Sequence, residues 1–224
     1  MICSFVLLIS QWGATTSTLP QEALGIPIVQ QQTDYSCGAA ALLAVLKYWQ
    51  VFDGKESDLY KDLDTRPDYG TDPIKLADVA KNRFGLEAKY KNGSNILLDA
   101  LLKALGEHYT MILDFQAWGA KKPTLETNQL THFANNWLNY WQNYWKDTWA
   151  DGHYAVLLAM DNANAYLMDP VLSDAYVYVP LDELLERWHD VENQDIRVEH
   201  QVVFIRGNSP LQSGPVTRQL VRLE

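Results

Sequence analysis

Residues 36–49 have the sequence SCGAAALLAVLKYW, which is apolar almost throughout from the cysteine onward. A helix that is apolar on all sides is surrounded by protein rather than lying on its surface. The pattern therefore predicts a central, buried helix over residues 37–49, with Cys37 in its first turn. Ser36 or Asp34 is suited to cap the first N–H groups of this helix.

The pattern on either side of this helix predicts an α+β fold. Helices dominate the first half of the chain and strands dominate from residue 153 onward, without a sustained alternation of the two, so we expect a mostly antiparallel sheet. The predicted helices are 37–49, 56–63, 73–84, 94–105 and 181–188, and the predicted strands are 26–29, 86–91, 109–115, 153–160, 166–168, 176–179 and 201–205.

The composition excludes several classes of function. The 224 residues include 18 Lys and Arg against 28 Asp and Glu, which gives a net charge of −10. A chain this acidic has little with which to neutralise phosphate groups, so we expect no binding to nucleic acid or to an anionic membrane surface. Two cysteines without a Cys/His cluster of zinc spacing predict neither a disulfide scaffold nor a metal site, and we expect no cofactor.

The N-terminal residues resemble an export signal. An apolar run at 5–9 lies in the uncharged segment 1–14, and small, polar residues follow it. The run is too short to span a membrane, and no other segment has eighteen consecutive apolar residues. We expect residues 1–18 to be a signal or leader segment, and the protein to be exported to the periplasm or cell exterior or held at a membrane by its N-terminus. A buried or frayed strand is the alternative.

A tryptophan-rich segment lies near residues 117–151. Trp137, Trp141, Trp145 and Trp149 recur every four residues, a spacing that places side chains on one stripe of a helix. Such a stripe either packs into the core or forms a wall that contacts a substrate or partner. We expect residues 19–224 to form a single domain that carries this segment as a helical insertion.

Cys37 has the surroundings of a nucleophile. Unpaired N–H groups and the dipole at a helix N-terminus favour the thiolate. Gly38 leaves room for a substrate carbonyl group, and the backbone N–H of Cys37 can face the oxyanion that develops there. Gln31 offers a second oxyanion donor, although Gln30 and Gln32 flank it. The alternative is that Cys37 is a buried structural cysteine.

His153 and Asp169 are candidates for the base and for the carboxylate that orients it, both of which a nucleophilic cysteine requires. His153 opens a predicted strand, a turn at 161–164 reverses the chain, and the returning strand ends at Asp169. The two residues then lie at neighbouring ends of a hairpin, in a register that the sequence leaves open. His189 is a rival base, although a cation near a predicted helix end already explains it.

These residues resemble the C39 cysteine peptidase family. The resemblance lies in the segments QQTDYSCGAA at 31–40, GHY at 152–154 and DP at 169–170, and extends over residues 26–206. It implies a papain-like fold, with the helix of the nucleophile packed on an antiparallel sheet. It also implies four site residues: Cys37 as nucleophile, His153 as base, Asp169 as orienting carboxylate and Gln31 as the amide of the oxyanion hole.

The resemblance is to free-standing, C39-like members. Bacteriocin-processing members cleave leader peptides after a double glycine. Transporter-attached members usually carry Asp immediately before the cysteine, where this chain has Ser36, and have a shorter interval between cysteine and histidine. The chain has no phosphate-binding loop of the form G-x-x-x-x-G-K-[ST], so we expect no ATP-driven exporter within it.

We therefore expect a bacterial, exported cysteine peptidase that hydrolyses a peptide or protein substrate through an acyl-thioester. Two alternatives use the same residues. One is an acyl transferase or deamidase, because related sites support several outcomes of acyl transfer. The other is a catalytically silent peptide-binding module that contacts a partner through the tryptophan stripe.

Overall fold

A computed structural model of the chain describes residues 18–118, 144–192, 196–217 and 219–223. The helices are α1 (Cys37–Tyr48), α2 (Tyr60–Leu63), α3 (Pro73–Asn82), α4 (Leu98–Gly106) and α5 (Leu181–Arg187), with a 3₁₀ turn at Glu56–Asp58. The strands are β1 (Glu87–Lys91), β2 (Thr110–Gln116), β3 (Gly152–Met160), β4 (Asn164–Met168), β5 (Tyr176–Pro180), β6 (His189–Glu192), β7 (Ile196–Glu199), β8 (Gln201–Arg206) and β9 (Leu220–Arg222).

Seven of the strands in the described residues form one sheet, in the order β1-β8-β2-β3-β4-β5-β9. All neighbours in this sheet are antiparallel except β5 and β9, which are parallel. Strands β6 and β7 form a separate antiparallel pair. The combination of helices with a largely antiparallel sheet confirms the predicted α+β class.

Helices cover both faces of the sheet. Helices α1 and α3 pack on one face, and α4 and α5 pack on the other. Successive strand residues alternate between these two cores, so that Ile112 faces α1 while Leu113 faces the opposite layer. Because neither face meets solvent, β2 and β3 are buried along almost their whole length. This burial explains why their sequences are nearly continuous apolar runs.

Helix α1 is the central helix that its sequence predicts. Every residue from Gly38 to Leu46 is buried. The helix ends at Tyr48, and the indole N–H of Trp49, just beyond it, donates to Oγ1 of Thr110 at 3.0 Å. That hydroxyl group donates in turn to a carbonyl oxygen of β8 at 2.8 Å, so the polar atoms at this end of the core are paired.

Several short elements differ from the sequence predictions. Residues 26–29 form no strand, and the helix predicted over 56–63 is a 3₁₀ turn followed by the short α2. The helix predicted from Ser94 begins at Leu98, because a turn closed by the hydrogen bond from Ile96 N to Gly93 O precedes it. Strands β6, β7 and β9 were not predicted, since they are short and their pairing depends on partners distant in sequence.

The described part of the tryptophan-rich segment packs against its own chain. Residues 144–147 are helical, and Trp145 is 3% exposed with the guanidinium group of Arg187 at 3.6 Å from its ring centroid. Trp149 follows the helical residues and lies against the ring of His189, with 4.1 Å between centroids. The remaining members of the predicted stripe, Trp137 and Trp141, lie outside the described residues, as do residues 1–17 of the predicted leader.

Candidate active site

The fold places Cys37 at the exposed end of a buried helix. The thiol side chain is half-buried, whereas the residues that follow it are fully covered. Ser36 stands at the N-cap position, but its hydroxyl group bonds to the backbone of Thr33 and does not cap the helix. The first turn of α1 also contains no acidic residue. The positive end of the helix therefore faces the thiol, and no acidic side chain in the first turn offsets it.

His153 lies beside Cys37 at the start of β3 and is joined to Asp169. The imidazole Nε2 is 2.9 Å from Oδ1 of Asp169, and the two side chains are almost completely buried. The ring packs edge-on against Phe115. Because Nε2 faces the carboxylate, Nδ1 is the ring nitrogen that remains for the thiol. The structure thus brings together the three residues that the sequence predicted to form a triad.

An extra residue in β3 decides whether His153 and Asp169 meet. Ala159 pairs with Tyr166, but Leu157 pairs with Leu167, so β3 contains one residue more than β4 over this interval. Without the extra residue, the strand pairing set at the turn would continue unchanged to the end of β4. Asp169 would then lie on the opposite face of the sheet from His153, because a shift of one residue in the pairing moves side chains to the other face. The β-bulge restores the two side chains to one face.

The charges of this pair stabilise each other. Burial lowers the pKa of His153, but the charge and hydrogen bond of Asp169, together with hydrogen-bonding and charge interactions with Cys37, raise that pKa above its ordinary value. Burial raises the pKa of Asp169, yet the charge of His153 and several hydrogen bonds hold it below its usual value. The result is an imidazolium–carboxylate pair next to the thiol, and an adjacent imidazolium favours a reactive thiolate.

Gln31 lies in the connector that leads to Cys37. Its backbone N–H donates to the carbonyl oxygen of Pro170 at 2.8 Å, which attaches this connector to the residue that follows Asp169, just beyond the end of β4. Its side-chain Nε2 donates to the carbonyl oxygen of Thr33 at 2.7 Å, in the turn before α1. An amide NH₂ group has two donors, so one remains for an oxyanion. The neighbouring Gln30 and Gln32 are exposed.

Trp118 is a site residue that sequence reasoning missed. Its indole N–H donates to Oδ2 of Asp169 at 2.9 Å, while the backbone N–H of Val171 donates to Oδ1 at 2.8 Å. The backbone of Trp118 has φ of 62°, a conformation that non-glycine residues rarely adopt. Nothing in its local sequence signalled this role, because the contact joins residues that are far apart along the chain.

The rival base, His189, is engaged elsewhere. Helix α5 ends at Arg187, and His189 begins strand β6 instead of lying at the helix end. Its Nε2 is 2.8 Å from the carbonyl oxygen of Thr148, and its ring lies against Trp149. These contacts hold the imidazole in the interior of the described structure, against the tryptophan-rich segment.

No helix in the described ranges is both long and apolar enough to cross a membrane. Within the same ranges, no group of three or more His, Cys, Asp or Glu side chains is arranged to hold a metal ion.

Solved structures of C39-type peptidases share the fold. A putative C39-like peptidase from Bacillus anthracis is 17% identical, with a TM-score of 0.54 over 86% of this chain and 99% of the other. The peptidase domain of Streptococcus ComA, a bifunctional ABC transporter involved in quorum sensing, is 15% identical, with a TM-score of 0.53 over 82% and 99%. A double glycine motif protease from an AMS/PCAT transporter, in complex with the leader peptide, is 18% identical, with a TM-score of 0.51 over 87% and 98%.

Sequence comparison gives the family directly. No curated protein matches the chain. The family model of the Peptidase_C39 like family matches residues 23–196, which include Cys37, His153 and Asp169 and most of the described sheet. The chain therefore belongs to the Peptidase_C39 like family.

Proposed function

We propose that the protein is a cysteine peptidase in which Cys37, His153 and Asp169 act as a catalytic triad. The observation that carries the proposal is the position of His153, which is hydrogen-bonded to a buried carboxylate and interacts with a thiol at a helix N-terminus. Nucleophile, base and orienting group in mutual contact are the arrangement that covalent acyl transfer requires.

The geometry supports a two-step reaction. The Cys37 thiolate attacks the scissile carbonyl carbon, and the carbonyl oxygen becomes an oxyanion that the Cys37 N–H and the free donor of Gln31 stabilise. The His153 imidazolium then protonates the leaving amine, which leaves an acyl-thioester on Cys37. His153 next takes a proton from a water molecule as the water oxygen attacks the acyl carbon, and the C–S bond then breaks, which releases the carboxylic acid and restores the Cys37 thiolate. Asp169 keeps the ring oriented through both steps.

A peptide is the substrate class that we propose for this protein. The double glycine motif protease with the same fold was solved with its leader peptide bound. This protein has the same sheet and helix arrangement, so a peptide is the substrate class we propose for it. An acyl transferase or deamidase would use the same nucleophile and base, and only the acceptor or the bond attacked would differ.

The test is alkylation of Cys37 with iodoacetamide between pH 5 and 9, followed by peptide mass analysis. We expect rapid alkylation at the acidic end of this range, and much slower alkylation in His153→Ala. His108→Asn is the matched control, because His108 is exposed and has φ of 62°, which asparagine tolerates. Its alkylation should equal that of the parent.

Turnover completes the test. Hydrolysis of a peptide library should be lost in Cys37→Ala and in His153→Ala while both variants stay folded. Alkylation with the pH dependence of an ordinary thiol, unchanged by His153→Ala, would refute the triad. A product yield that rises when a free amine is added would identify an acyl transferase instead.

A further inference from the structure

Two carboxyl groups outside the triad lie close enough to interact with each other, and one of them, Asp114, also interacts with Cys37. Asp114 is 3% exposed in the middle of β2, and Asp190 is half-buried in β6. Among the described residues, neither carboxyl group forms an ion pair with a lysine or arginine side chain. Buried carboxylates are ordinarily paired with a cation or with several hydrogen-bond donors, so this arrangement needs an explanation.

The fold holds Asp190 in a defined position. Its Oδ1 accepts a hydrogen bond from Nε2 of Gln116 at 3.0 Å. A Cβ atom on Gly152 would lie 2.1 Å from Oδ2 of Asp190, so a side chain at 152 would displace the carboxyl group. Gln116 and Gly152 are paired across β2 and β3. The Asp190 carboxyl group therefore lies over this residue pair, at the end of β3 where His153 follows.

Asp114 lies on the same side of the sheet and interacts with Asp190. It precedes Gln116 by two residues on β2, and alternate residues of a strand share a face. Its Oδ2 accepts a hydrogen bond from Nε2 of Gln201 at 3.3 Å. Its Oδ1 is buried and accepts no hydrogen bond from any described donor. A buried acceptor that lacks a partner in the unbound protein is a position at which a ligand gains binding energy.

Asp114 and Asp190 are both acidic, and each affects the other's ionisation. Burial raises the pKa of Asp114 well above its usual range, and the charges of Asp190 and Cys37 raise it further. Burial also raises the pKa of Asp190. Two carboxylates this close repel each other, which opposes the ionisation of both. A cationic group bound next to them would favour the ionised form of both carboxyl groups and would pair with them.

We propose that Asp114 and Asp190 form an acidic subsite beside Cys37 that binds a lysine or arginine side chain of the peptide substrate. The inference rests on the proposed peptidase function, since it assigns the specificity of the same site. Lysine and arginine have long apolar stems that carry the charge to a recessed carboxyl group. The net charge of −10 also attracts cationic peptides over long distances.

The experiment uses paired synthetic peptides of eight residues built from alanine, glycine and leucine. A single lysine is moved through the positions, and each peptide has a partner with methionine at that position. Values of kcat/KM are compared for the parent, Asp114→Asn and Asp190→Asn. Asp174→Asn is the matched control, because Asp174 is an exposed aspartate of the same sheet region. Dissociation constants for the same peptides are measured with the Cys37→Ala protein, so that turnover plays no part.

We expect the parent to prefer lysine over methionine by about 30-fold at one position, the lower end of the range for a buried charge pair. Asp114→Asn and Asp190→Asn should each reduce that ratio at least several-fold, and Asp174→Asn should keep it. If Asp114→Asn fails to fold, the lysine-to-methionine ratio of Asp190→Asn provides the same test, because Asp190 is only half-buried. Equal binding of lysine and methionine peptides to Cys37→Ala, or a preference unchanged by the Asp190 variant, would overturn the subsite. A lysine preference in binding without alkylation or turnover would instead refute the peptidase and leave the subsite standing.

Discussion

Asp169→Asn tests the hydrogen bonds around the proposed triad. Three donors converge on the carboxylate: Nε2–H of His153 and the backbone N–H of Val171 at Oδ1, and the indole N–H of Trp118 at Oδ2. Asparagine replaces one acceptor oxygen with an NH₂ group. Whichever way the amide is oriented, that NH₂ group faces at least one of the three donors.

The size of the effect follows from burial. Trp118 is 37% exposed, so its indole can turn toward water, and the amide oxygen should stay at the Oδ1 position. The unpaired indole then costs about 1 kcal/mol, the lower end of the range for a lost buried partner. Exchanging the charge-assisted bond to His153 for a neutral one costs about 1 kcal/mol more. We expect a loss of about 2 kcal/mol in the free energy of unfolding, a factor of about 30 in the folding equilibrium.

The assay is urea unfolding of Asp169→Asn, Trp118→Phe and the double variant. Phenylalanine removes the donor that conflicts with the amide, so the double variant should be about 1 kcal/mol more stable than the sum of the single effects predicts. The alkylation rate of Cys37 at acidic pH should fall in Asp169→Asn, because His153 loses the charge that holds its proton. Additive effects within about 0.3 kcal/mol would refute the convergence of donors on this carboxylate.

Two further predictions concern positions next to the site. Gly38→Ala should destabilise the protein by about 1–3 kcal/mol in urea unfolding, although alanine normally favours a helix, because the new Cβ would lie 2.8 Å from Cβ of Thr71. Gly106→Ala, whose Cβ would have no neighbour within 4 Å, is the control and should be neutral or stabilising. The pKa of Asp114 is higher in the folded protein than in the unfolded chain. The contribution of its carboxyl group to the free energy of unfolding is therefore fully present below the pKa of the unfolded state, and it is lost as pH rises through the pKa of the folded state. Asp114→Asn should therefore gain stability relative to the parent as pH rises above about 4 in thermal unfolding, and a constant difference would contradict this.

Local patterns were enough for the central features of this protein. The apolar run after Cys37 predicts a buried helix, because a segment without a polar face has to be covered on every side. The hairpin between His153 and Asp169 was predicted from turn residues flanked by apolar runs. Both patterns extend over only a few neighbouring residues, so they can be recognised without knowledge of the rest of the fold.

Sequence patterns therefore predict the α+β class, the buried helix that begins at Cys37 and the candidates for a triad. How these residues meet depends on contacts across the fold: the bulge in β3 returns His153 and Asp169 to one face, and Trp118 donates to the second oxygen of the carboxylate. Likewise, Asp114 is merely an isolated acid in an apolar strand until β6 packs against β2 and brings a second carboxyl group to it. The physical reason is that strand register and burial depend on contacts between segments distant in sequence, whereas helices and turns depend on neighbouring residues.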